Sequence, residues 1–123
     1  MTRTRQLTLA YSAGRVGFGL ALLGPASWAA ARWIGPDAER RPVGVAMRGL
    51  AVRDVALAVG AIHAVRRDGA VVPWLVAAAA CDVADIAISL AAGDSLPKQA
   101  RWGTPALAGT SAATGAALAF AES

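Results

Sequence analysis

Cysteine is almost missing from this chain. Cys81 is the single one, which excludes an internal disulfide and a zinc site built from several thiolates. Asparagine does not occur, and one lysine stands against eleven arginines; this Ala/Arg-rich usage resembles the products of GC-rich bacterial genomes. Charged residues make up 16% of the 123 positions, well under the roughly 25% of soluble domains. From Trp102 to Ala121 there is no charge at all, and the hydroxyls are Thr104, Thr110, Ser111 and Thr114. A soluble helix needs a charged outer face, so an Ala-rich soluble bundle is the weaker alternative. No Gly-rich phosphate loop, Ser-His-Asp set, nucleophile elbow or His-rich metal cluster is present. No metal or cofactor is therefore expected. Strict two-residue alternation is absent, which argues against a membrane barrel. The net charge of +4 is scattered among apolar runs, without the basic face or aromatic interleaving of a nucleic-acid binder.

What is present is apolar sequence: 56% of residues are hydrophobic. It falls into four segments, at about residues 7–31, 43–65, 70–92 and 102–121, each near the roughly 20 residues needed to span a bilayer. Gly24-Pro25 should kink the first. Trp28 and Trp33 mark its end as interfacial aromatics do. Gly35-Pro36-Asp37 reads as a turn. Pro42 and Pro73 suit the first turns of the second and third helices, Gly93 a helix stop, and Thr104-Pro105 the start of the fourth helix. The expected fold is all-α: an integral membrane four-helix bundle forming one domain over residues 1–123. Short turns predict antiparallel neighbours and both termini on one side. Small residues at four-residue spacing (Ala56, Gly60, Ala64; Gly109, Ala113, Ala117) fit close helix packing in lipid. Flanking arginines do not decide orientation; cytoplasmic termini in a cytoplasmic, multi-pass inner-membrane protein are the expectation. Arg3, Arg5 and the Ala29–Ala31 run also admit a cleavable signal peptide.

Six charges fall inside these segments: Arg15, Arg48, Arg53, Asp54, Asp82 and Asp85. Charges at membrane depth are costly and face a bundle interior, a cavity or each other. Three positive and three negative, they are neutral as a set. Counting residues along each helix places Arg53, Asp54 and Asp82 near one depth, at about 1.5 Å per residue. Asp82 and Asp85 share a face by their i,i+3 spacing, with Arg53 and Arg15 near Asp82, and Arg48 displaced in the direction of Asp85. Arg48 and Asp54 diverge by about 120° around their helix, so either this helix is enclosed by neighbours on more than one face, or Asp54 makes a separate contact, such as with a second protomer. His63 reads as interfacial and Cys81 as a packed small side chain. Asp82-Val83-Ala84-Asp85 has the D-x-x-D form of magnesium sites, but lacks the further carboxylates such sites use.

The motifs Arg15-Val16-Gly17-Phe18-Gly19, Pro25 with Ile34-Gly35, Arg48 to Leu57, and Cys81 to Asp85 together resemble small bacterial four-helix membrane proteins of the DoxX-like type. The resemblance runs from Arg15 through most of the chain. It implies a four-helix membrane bundle. No redox-active pair is present to carry the redox association of some DoxX relatives.

The function expected from the residues is a non-catalytic accessory or ligand-binding membrane protein. Membrane lipid is its expected partner, with a homo-oligomer or partner membrane subunit as a further one. A polar or anionic lipid head group would engage Arg15, Arg48 and Arg53, oriented by Asp82 and Asp85. One alternative is a small membrane enzyme using Asp82 or Asp85 as acid or base on an apolar substrate. Another is a proton- or ion-conducting oligomer with Asp54 at its interface.

Overall fold

The structure is a computed structural model that describes residues 1–23 and 26–123, with side chains for all but residues 24–27. Among the described residues every regular element is helical: α1 (Arg3–Leu23), α2 (Ala26–Ile34), α3 (Arg41–Arg66), α4 (Val72–Ala92) and α5 (Lys98–Glu122), with 3₁₀ turns at Gly35–Glu39 and Gly93–Ser95. The kink expected at Gly24-Pro25 lies outside the described residues.

Helix ends follow local chemistry. α3 begins after Arg40 in an extended conformation, with proline in its first turn, and α4 begins with proline in the same place; both positions dispense with an N–H that would be unpaired anyway. Gly93 ends α4 at φ 52°, a backbone region that favours glycine. Between α3 and α4, Asp68 adopts φ 51° and Gly69 N–H donates to Ala64 O at 2.8 Å. One boundary departs from expectation. α5 starts at Lys98, capped by extended Pro97, and Pro105 lies inside the helix. The apolar run begins a turn later than the helix does. The intervening turn carries Arg101, which pairs with Asp94 and stacks over Trp102 at 5.3 Å.

The long helices form two close pairs, α1 with α3 and α4 with α5. Gly19 allows the first pair to touch, since a Cβ there would lie 2.6 Å from Val55 Cγ2. At one end the pairs also meet each other. Ala61, Ala64, Val65, Val71, Leu75, Leu118 and Ala119 form a buried cluster there, and Arg5 of α1 reaches both Asp68 and Glu122. That contact puts both termini at the same end. At the other end α2 lies between the pairs. Trp33 Nε1 donates to Thr104 Oγ1 at 2.9 Å, and the Trp33 ring passes close over Gly103.

Among the described residues one segment is long and apolar enough to cross a membrane, Val72–Ser95. A second would count only if α1 and Trp28–Glu39 formed one broken span, their axes 98° apart. Of the four spans expected from sequence, the one over α4 meets this measure among the described residues. α1 and α5 dilute their apolar content with Gly, Ser and Thr, and α3 carries Arg48, Arg53 and Asp54 near its middle.

The distribution of side chains is inverted relative to a water-soluble bundle. The buried set is mainly alanine, together with Thr8, Ser12, Arg15, Asp54, Asp82 and Ser89. Outward-facing positions include Leu20, Val45, Val52, Val83, Leu90 and Phe120, all more than half exposed.

Candidate functional site

α1 presents Thr8, Ser12, Arg15, Gly19 and Leu22 to the interior, a stripe at three- and four-residue spacing. Arg15 is its only charge. Its Nη1 donates to Asp82 Oδ2 at 2.6 Å, to Ser111 Oγ at 2.8 Å and to Tyr11 OH at 3.2 Å. Its Nη2 donates to Asp54 Oδ1 at 2.9 Å. One guanidinium thus joins all four long helices. Tyr11 stands one turn before Arg15 and donates its hydroxyl to the Ser111 carbonyl at 3.1 Å.

Arg53 extends the network. Its Nη1 and Nη2 grip Asp85 in a fork, at 3.1 and 2.7 Å, while Nη2 also donates to Asp54 Oδ1 at 3.1 Å. Forked arginine–carboxylate pairs are among the strongest polar contacts available to side chains. The charges run in one chain: Asp85, Arg53, Asp54, Arg15, Asp82.

Five of the six charges singled out by sequence are therefore brought together. Arg48 is not. It is exposed and makes no ion pair among the described residues; the 120° divergence that separates it from Asp54 turns it outward. Asp54 finds its partners because α3 is enclosed on more than one face, by α1 and α4. It needs no second protomer, because α1 supplies Arg15 and its sequence neighbour Arg53 folds back onto it. Asp54 is the hub of the network. Asp85 takes Arg53 rather than Arg48, and Asp82 takes Arg15. Tyr11 and Ser111 were not anticipated. Tyr11 could have been found by its i,i+4 spacing to Arg15; Ser111 lies too far along the chain for any local spacing to link it to Arg15.

Losing Arg48 changes the charge count. The connected set holds two guanidinium groups and three carboxylates, a net charge of −1. An unmatched charge at membrane depth costs about 2.5–3.5 kcal/mol on insertion scales. Hydrogen bonding is incomplete as well. Among the described residues Asp54 accepts only through Oδ1 and Asp82 only through Oδ2, and Arg15 Nε is buried without an acceptor.

A cavity of about 630 Å³ opens beside this network, within the range of small-molecule sites. Arg15, Asp54, Asp82 and Asp85 form its charged floor, with Tyr11 and Ser111 beside them. From there it extends toward α2, between apolar walls that include Phe18, Trp33, Leu50 and Ile88. Thr110 and Thr114 also line it, but both hydroxyls are spent on carbonyls of their own helix, each at 2.8 Å. Ser89 lines it too, and its hydroxyl has no partner among the described residues. Among the described residues no group of His, Cys, Asp and Glu is arranged to hold a metal ion. Comparison with protein families, with curated proteins and with solved structures found no match.

Proposed function

We propose that this chain is a multi-pass, membrane-embedded binding protein whose four long helices enclose a site for a small amphiphilic molecule. The observation that carries the reading is the cavity with apolar walls and a charged floor. A molecule with a compact polar head and an apolar body matches that division: the head meets the unpartnered polar atoms, and the body lies along Phe18, Leu50 and Ile88.

The inverted distribution of side chains supports the membrane setting. Exposed Leu, Val and Phe suit lipid, and buried Arg and Asp suit a bundle interior. The inward-facing charges of α1 and α3 are ion-paired, Arg15 with Asp54 and Arg53 with Asp85, so a hydropathy count undervalues both helices. The likeness to DoxX-like families belongs to this same reading, as does the cytoplasmic membrane as its location. A membrane enzyme using Asp82 or Asp85 as acid or base is the less favoured alternative, since both carboxylates are held by guanidinium groups. Ion conduction is disfavoured by the burial of Asp54 within one chain.

The test is native mass spectrometry of protein released from alkali-washed membranes. Wild type is expected in the membrane fraction with a bound small amphiphile, and Ser89→Phe, which fills the cavity, is expected in the same fraction without it. Recovery in the soluble fraction overturns the membrane reading. A wild type that flies at its bare polypeptide mass, as Ser89→Phe does at its own, overturns the binding reading.

A further inference from the structure

We infer that the ligand of this cavity is a lipophilic cation, an organic molecule with a positive head and an apolar body. The inference rests on the binding reading above and narrows it by charge. A neutral or anionic amphiphile would suit a balanced network, or one with spare arginine. Here the floor presents three carboxylates and one guanidinium to the cavity. Arg53 does not line the cavity, and counting it still leaves one negative charge in excess. Arg48, the arginine that would have restored balance, is on the exposed face of α3 and lines no part of the cavity.

The carboxylates also have room to receive a cation. Asp54 and Asp82 are each only 5% exposed, yet each has one oxygen without a protein donor among the described residues. Neither oxygen is fully buried and both aspartates line the cavity, so the cavity is where a partner would approach. Buried carboxylate oxygens of this kind call for a donor or a positive charge. The walls agree with an organic cation rather than a metal ion. Phe18 and Trp33 line the same cavity, apolar surface that an organic body would cover and a metal ion would not. The length of the apolar part, from the floor to α2, would be wasted on a bare ion.

The experiment compares two probes of near-identical shape and opposite charge, tetraphenylphosphonium and tetraphenylborate, with neutral tetraphenylmethane. Each is titrated onto wild-type protein in nanodiscs, with empty nanodiscs subtracting partition into lipid. The expected result is saturable binding of the phosphonium at least about tenfold tighter than of either other probe, a tenfold step being 1.4 kcal/mol. Asp85→Asn brings the network to neutrality while leaving every Arg15 contact and the Arg53–Asp54 contact in place. It should lower phosphonium affinity about tenfold and leave tetraphenylmethane unchanged. Ser89→Phe should abolish binding without altering charge. Saturable binding of tetraphenylborate or tetraphenylmethane at equal or greater affinity overturns the cation assignment and leaves the cavity as a binding site. Absence of saturable binding by all three overturns both. Retention of full phosphonium affinity in a folded Asp85→Asn protein overturns the charge argument.

Discussion

The two ends of the bundle are built differently from the same residue types. At the end that carries the termini, the α1/α3 and α4/α5 pairs meet in a dry cluster around Leu75, which is 1% exposed. At the α2 end the pairs stand apart and enclose a cavity of about 630 Å³. The charge network lies at the boundary, closing one region and flooring the other. The close-packed end gives the molecule its form, and the hollow end is free to do something else. In the membrane setting proposed above, helices lack a hydrophobic drive to associate, so contact between the pairs would come from packing and polar links. Where packing stops, the polar links are what remain.

Arg15 is the sharpest test of that division, because it joins the two pairs. Arg15→Met leaves Asp54 and Asp82 without their main partner. Stranding buried charges in this way typically costs about 3–5 kcal/mol. Unfolding of the protein in mixed micelles by a denaturing detergent should show a loss of that order. A loss under about 1 kcal/mol would place the cohesion of the bundle elsewhere.

Leucine truncation compares the two ends directly. Leu75→Ala removes a fully buried side chain from the packed cluster and should cost about 2–5 kcal/mol by the same assay. Leu50→Ala only enlarges a space that already exists, and should cost about 1 kcal/mol or less, since the penalty depends on how much new void is made. Equal losses at the two positions would mean that the cavity closes in the folded protein in lipid.

Glycine positions extend the comparison to the backbone. A Cβ on Gly60 would collide with the Trp74 ring, whereas one on Gly14, at the cavity, meets nothing within 4 Å. Gly60→Ala should cost about 1–3 kcal/mol through overpacking. Gly14→Ala should gain up to about 1 kcal/mol, because alanine is the better helix former. Paired thermal melts of the two variants give the sign in each case.

The helices were readable because their signals are local. Pro42, Pro73 and Gly93 each act on the turn in which they stand, and the α3 and α4 boundaries lie within two residues of the apolar segments. The start of α5 was misplaced for a related reason. Hydropathy marks where a helix meets an apolar surrounding, and Lys98 to Arg101 continue the helix beyond that point. Pairing was harder to read. Depth along an axis places Asp54, Asp82 and Arg53 near one level, but says nothing of which helices are neighbours. Arg15 reaches Asp54 because α1 packs on α3, and it reaches Ser111 because α5 closes the ring. The cavity left no mark in the sequence. Empty space is set by how far apart the helix pairs stand, and no residue type encodes that distance.

The smallest expected effect falls at Arg48, and it decides what the network is. Sequence alone makes Arg48 a sixth, balancing member. The structure puts it on the exposed face of α3, with no carboxylate paired to it among the described residues. Arg48→Gln should therefore change stability by no more than about 0.5 kcal/mol, as exposed substitutions do. It removes one positive charge from the chain without touching the hydrogen bonds of Asp54, Asp82 or Asp85. If the protein instead loses as much stability as Arg15→Met, then Arg48 turns inward in the membrane and the network is neutral. That result would remove the excess negative charge from which the cation preference is proposed, while leaving the cavity and its apolar walls in place. A silent Arg48→Gln beside a damaging Arg15→Met separates the two arginines by role, one holding the floor of the site and the other standing outside it.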